Sequence, residues 1–268
     1  MKNITGVFPD KKKKMKGFVF LILLSAILCR PIEGHPASVP LRVAAAADLM
    51  PVLPPLLDRF TRKTGIPVIV SWGASGEESV AIRHGAPYDL FLSADSAFPE
   101  ALARMGFLEK NSLRVYARGI LVLWISRPGP LKKPFPGISE LDHPGIRKIA
   151  MANPRLAPYG RAAKRCLVSR GRWTALKPKV VYGNSLAQVA WYLRTGSAQA
   201  GFLSESQAKM LPSRLSGGFS ILSPGCAPDL EQKMGILRRT RNPGEAKSLE
   251  TFLLGAKAQS YLRSHGYR

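Results

Sequence analysis

Four short polar or glycine-rich turns hold the residue types in this 268-residue chain that could do chemistry. They lie at Asp48, at Gly73-Ala74-Ser75-Gly76, at Pro158-Tyr159-Gly160 and at Gly183-Asn184-Ser185. Each follows an apolar run and opens a segment with helical spacing. Hydroxyls and unhindered amides at a helix start suit an anion. The N–H groups of the first turn have no intrahelical acceptor, and the helix dipole adds partial positive charge there. The same residue types also cap helices, so the turns alone do not separate an anion site from ordinary strand-to-helix loops. Catalytic patterns do not occur. Glu77, Glu78 and Asp89 are carboxylates without a spaced His or Cys partner, and the sequence has no Walker loop, nucleophile elbow or zinc motif. Three Cys and four scattered His make no metal centre. The expectation is a binding protein, not an enzyme, with no cofactor.

The elements that must position these turns follow from periodicity. Short apolar runs at 41–46, 66–72, 89–93, 148–152, 179–182 and 200–203 read as buried strands. A longer strand region covers 115–125, and two late strands fall at 219–222 and 233–237. Helical spacing runs through Val52, Leu53, Leu56, Leu57 and Phe60, although Pro54 and Pro55 suit only a first turn. Further helices are predicted over 77–84, 97–105, 158–170, 185–194 and, as one terminal amphipathic helix, 246–264. Alternating strands and helices predict an α/β fold with mixed, mostly parallel sheets. Ligands in such folds sit beyond the carboxyl ends of the strands.

The chain holds 40 Lys and Arg against 17 Asp and Glu, a formal charge of +23. The bases are dispersed and form no stripe interleaved with aromatics, so nucleic acid is not expected as a partner. A basic surface suits an exported protein in acidic surroundings, where carboxylates lose their charge. The N-terminus reads as an address. Lys11 to Lys14 and Lys16 precede an apolar run over 17–29, shorter than the about 20 residues a membrane span needs. Residues 1–37 are read as a secretory signal peptide, with Met15 as an alternative start. Leu28 stands where a lipidated Cys29 would want a small residue. Export leaves Cys166 and Cys226, and the compartment permits a disulfide between them.

Beyond these readings, the segments VAAAADLMPVL (43–53), SWGASGEESVAIRHGAPYDLFLSAD (71–95), IAMANPRLAPYGRAA (149–163), YGNSLAQVAWYLRTGSAQAGFLSESQ (182–207) and FLLGAKAQSYLRSHGY (252–267) closely resemble the periplasmic molybdate-binding proteins of ABC transporters. The resemblance spans residues 38–268. It implies a two-lobe periplasmic binding protein type II fold with a ligand cleft between the lobes. Lobe I would comprise 38–117 and 208–268, and lobe II 118–207, with crossings near 115–119 and 206–220. It implies a tetrahedral dianion, molybdate or tungstate, held by amides and hydroxyls, and delivery to a membrane permease by a monomeric periplasmic protein. Matched residue by residue, the implied ligand set is Asp48, Ser75, Tyr159, Leu186 and Ser204, with no direct protein–metal bond. Asp48 and Ser204 depart from the pattern, which has Ser and Tyr there in one branch. The Asp48 side chain is expected to turn away and cap backbone amides, leaving its own N–H or that of Leu49 for the ligand. Sulfate and phosphate remain alternative ligands, and phosphate would want Asp48 as an acceptor.

Overall fold

Strand β1 (Leu41–Ala46) carries buried apolar residues on both faces, Arg42 alone being exposed, because helices cover both faces of its sheet. Leu41, Val43 and Ala45 point to one side and Ala44 to the other. The computed structural model describes residues 39–126, 137–212, 215 and 217–268. The signal-peptide expectation for 1–37, with Cys29, lies outside the described residues.

After β1, a 3-10 turn (Ala47–Leu49) leads to helix α1 (Leu53–Thr64). Pro54 and Pro55 fall in the first turn of α1, whose N–H groups have no intrahelical acceptor, so they cost little. Leu53, Leu56, Leu57 and Phe60 form its buried stripe. Gly65, at φ 74°, closes it. Next come β2 (Val68–Gly73), α2 (Ser75–Arg83), β3 (Leu90–Leu92), α3 (Ala97–Arg104) and β4 (Arg114–Gly119). The first sheet has the order β2-β1-β3, then β10 (Leu230–Ile236), then β4.

The second sheet is built from β5 (Leu121–Ser126), β6 (Ile149–Ala152), β7 (Val180–Gly183), β8 (Ala200–Ser204) and β9 (Gly217–Ile221), in the order β7-β6-β8-β5-β9. Its helices are α4 (Pro158–Ser169), α5 (Trp173–Leu176), α6 (Leu186–Arg194) and α7 (Glu205–Lys209). The two sheets follow one plan. Three parallel strands come first, and the fourth position is filled by an antiparallel strand that the chain lays down as it changes lobes. That strand is β10 in the first sheet and β5 in the second. Helices α8 (Pro243–Leu254) and α9 (Ala256–Ser264) return to the first lobe and cover the Leu41 face of its sheet.

Three expectations are corrected. The strand region 115–125 is two strands in different sheets, broken at Ile120. Residues 119–125 are all buried, so the apolar run continues through the crossing. The return to lobe I comes later than residue 208: β9 pairs with β5, and the chain rejoins the first sheet at Leu230. The terminal helix is two helices, because Gly255 adopts φ −66° and ψ 149° and starts α9 afresh.

Cys166 on α4 and Cys226, in the loop between β9 and β10, form a disulfide with Cα atoms 4.6 Å apart. It fixes the returning chain to the second lobe before the crossing. The bridge closes a 60-residue separation, and a loop of that size contributes about 2–4 kcal/mol by restricting the unfolded chain. Urea unfolding with and without reductant is expected to show an unfolding free energy lowered by that amount. Cys226→Ser should reproduce the loss without reductant.

Candidate functional site

Three helices begin at one point between the lobes. Ser75 is the first residue of α2, Leu186 the first of α6, and Tyr159 follows Pro158 in the first turn of α4. With the turn at Ala47–Asp48 and with Gly73, Ala94 and Ala157, they line a cavity of about 10 Å³. A cavity of that size holds about one water, so in this closed state the walls stand almost in contact. Amides of the first helical turns lack intrahelical acceptors, and three N-terminal dipole ends meet here. Among the described residues no Lys or Arg lines the cavity, and the one carboxyl there is that of Asp48. Any anion here is therefore held by dipoles and hydroxyls.

Ser75 is fully buried, and its Oγ accepts the Ala94 N–H at 2.9 Å. A hydroxyl has one proton to donate. With the Ala94 amide on a lone pair, that proton is available to a guest. The amide of Gly76 is already used: it donates to the Leu156 carbonyl of the other lobe at 2.9 Å. This bond closes the cleft beside the cavity. A Cβ on Gly76 would lie 2.8 Å from that carbonyl oxygen and 3.0 Å from Leu156 Cα. A second tie lies alongside, where Arg161 of α4 approaches Asp95 at 3.6 Å and stands 5.3 Å over the Phe98 ring.

Asp48 is buried and serves as the hub of a polar network. Its Oδ2 accepts from Gln232 Nε2 at 2.7 Å and has Tyr267 Oη at 3.1 Å and Tyr159 Oη at 3.3 Å. Its carbonyl oxygen has Tyr267 Oη at 2.9 Å and Ser206 Oγ at 3.0 Å. Tyr116 Oη stands 2.7 Å from Gln232 Oε1 and 3.1 Å from the Ser93 carbonyl oxygen, with one proton to share between them. Oδ1 of Asp48 is buried and has no hydrogen-bond partner among the described residues. Burial pushes the Asp48 carboxyl up to about 6, against the lowering effect of its hydrogen bonds. Gly119 makes room for this network. A Cβ there would fall 2.0 Å from Tyr159 Oη and 2.5 Å from Gln232 Nε2.

The cavity thus brings together Asp48, Ser75, Tyr159 and Leu186. Ser204 is elsewhere: its Oγ caps α7 by accepting Gln207 N–H at 3.2 Å and lies 3.0 Å from Ser206 Oγ. The Asp48 side chain was expected to cap backbone amides; its Oδ2 gathers side-chain donors from distant segments. The physical reason is that its partners come from β10, α4 and the C-terminus, which local sequence does not bring near. Gln232, Tyr267, Ser206 and Tyr116 were missed for that cause. The one available signal was the terminal S-HGY run, which ends in Tyr267.

The model of the bacterial extracellular solute-binding protein family matches residues 41–268. The molybdate-binding protein ModA of Azotobacter vinelandii is 34% identical over 227 residues, covering 84% of this chain and 88% of that protein. ModA of Rhodobacter capsulatus is 33% identical over 210 residues, 78% of this chain and 80% of that one. The solved structure of the Azotobacter vinelandii periplasmic molybdate-binding protein superposes with a TM-score of 0.78 at 31% identity. It covers 85% of this chain and 98% of its own.

Two outcomes are expected. Gly76→Ala should hold the cleft apart, because its Cβ would press on the Leu156 backbone of the other lobe, beside a contact with the Phe98 ring of its own lobe, and overpacking costs about 1–3 kcal/mol. Ligand titration should show affinity lowered roughly tenfold or more, while the ligand-free melting temperature stays close to that of the wild type. The second concerns pH. The folded Asp48 carboxyl titrates above its ordinary value of 3.8, so its contribution to stability is complete below about 4 and is lost as pH rises to about 6. The span is roughly 3 kcal/mol. Urea midpoints of wild type and Asp48→Asn across pH 4–7 should therefore diverge, with the wild type losing stability relative to the variant as pH rises.

Proposed function

The chain belongs to the bacterial extracellular solute-binding protein family, and on that footing we propose that it captures molybdate or tungstate between its lobes. The ligand is then delivered to the membrane permease of an ABC transporter. The protein works outside the cytoplasm, as a monomer, and performs no catalysis. One observation supports the reading above others: three helix N-termini and the Ser75 hydroxyl converge on a cavity with no cationic side chain. Dipoles and amides hold a dianion without a buried cation that would need its own partner. Each hydrogen bond to a charged oxygen contributes about 1.5–3 kcal/mol, so a handful is enough for tight binding. The likeness to the two ModA proteins agrees with this choice of ion.

A second reading, phosphate, has its own observation. Asp48 Oδ1 is a buried acceptor without a partner among the described residues, and a protonated phosphate would supply one.

Calorimetric titration of residues 38–268 with molybdate, tungstate, sulfate and phosphate separates the readings. Sub-micromolar binding of molybdate and tungstate alone is the expected result. Heat only with phosphate or sulfate would keep the fold and change the ligand. Ser75→Ala is expected to weaken binding several-fold through loss of one hydroxyl donor. Small-angle scattering should show compaction on addition of ligand as the lobes close.

A further inference from the structure

The carboxyl of Asp48 stands in the wall of an anion pocket, where a negative charge would oppose the guest. Its surroundings define where a proton must go. Oδ2 is occupied as an acceptor: Gln232 Nε2 donates to it at 2.7 Å. Tyr267 and Tyr159 also stand within hydrogen-bond reach of Oδ2. Oδ1 alone is open, buried, and without a partner among the described residues, in a residue that lines the cavity. A proton taken up by this carboxyl therefore sits on Oδ1.

We propose that Asp48 is protonated in the ligand-bound state and donates its Oδ1 hydrogen to the oxyanion, so that this protein takes up one proton with each dianion it binds. The inference rests on reading the pocket as an oxyanion site, and it makes Asp48 a ligand through its side chain as well as through the backbone. The groups that face it leave no other proton source. From α4, β4 and the C-terminus come Tyr159, Tyr116 and Tyr267, all held neutral by burial. From β10 comes Gln232 and from α7 come Ser206 and Gln207, none of which titrates near neutrality. Leu186 of α6 is apolar. Glu205 is bonded to Lys209, and Asp95 faces Arg161. The dipole ends of α2, α4 and α6 favour negative charge, and a bound dianion claims that favour for itself, which leaves Asp48 to be neutralised. Burial already raises this carboxyl toward neutral pH, so the proton is available at modest cost.

The test is calorimetry of the mature protein with molybdate and sulfate, ions that carry no proton between pH 6 and 8.5, and with phosphate. Each titration is run in two buffers of different ionisation enthalpy. Near pH 8 the wild type should take up close to one proton per molybdate bound. Its affinity should fall about tenfold per pH unit above roughly 6.5, the slope that linkage to one proton requires. Asp48→Asn keeps a donor at this position and cannot titrate. It should bind with little dependence on pH, take up no proton, and hold molybdate more tightly than the wild type at pH 8.5. Binding of molybdate that is flat with pH and releases or takes up no proton overturns this inference and leaves the function standing. Loss of binding in Asp48→Asn, with its melting temperature retained, shows that the carboxylate acts as an acceptor and also overturns it. Silence from molybdate, sulfate and phosphate at pH 6 overturns the oxyanion reading itself, and the inference with it.

Discussion

The closed molecule depends on one buried carboxyl. Asp48 follows β1 at the place where both lobes meet, and four segments distant in sequence supply hydrogen bonds to it: Tyr159, Ser206, Gln232 and Tyr267. Burying an acidic group without partners costs several kcal/mol, so the segments that bear the partners are held in register around it. Gly119 lacks a side chain where the network needs the space, and the ladder between β10 and β4 shifts register directly after Gln232. The chain crosses between lobes at Ile120 and in the stretch after β9, and β4 and β10 flank those crossings. A hub at this position joins the two lobes through side chains as well as through the chain.

The electrostatics divide in two. The surface is strongly basic, with a formal charge of +23 on the whole chain, yet no cation lines the pocket. Dispersed exposed charge is screened over about 8 Å at physiological salt. It raises the encounter rate with an anion, and the choice of ion falls to the geometry of amides and hydroxyls inside. The buried carboxyls follow a related logic. Burial raises Asp48, Glu78 and Asp95 alike. Groups shifted this way stabilise the fold at low pH and cease to do so as pH rises, the reverse of a fold held by salt-bridged carboxylates.

The disulfide and the helix starts show how local and distant constraints combine. Cys166 lies on α4, the helix whose first turn lines the pocket, and Cys226 lies just before the chain leaves the second lobe. The bridge therefore holds the far end of a pocket helix to the return crossing. At the near end, Gly76 and Leu156 meet through backbone atoms alone. Contacts of that kind depend on the absence of a side chain and leave almost no mark on composition.

By itself the sequence determined the alternating fold class, nearly every strand and helix, and four of the residues that line the pocket. Apolar period and turn chemistry are local, and Ser75 and Tyr159 stand at helix starts that neighbouring residues specify; Leu186 was implied only by the family resemblance. Only the tertiary structure decided the sheet to which 217–221 belongs, the break at Ile120, the pairing of Cys166 with Cys226, and the partners of Asp48. Each of these joins residues far apart in the chain. An apolar strand fits either sheet equally well, and a carboxylate takes whichever donors the fold brings within 3 Å or so. Ser204 shows the same limit from the other side. Its position in the chain suggested a ligand, while its helix start turned the hydroxyl into a cap for α7.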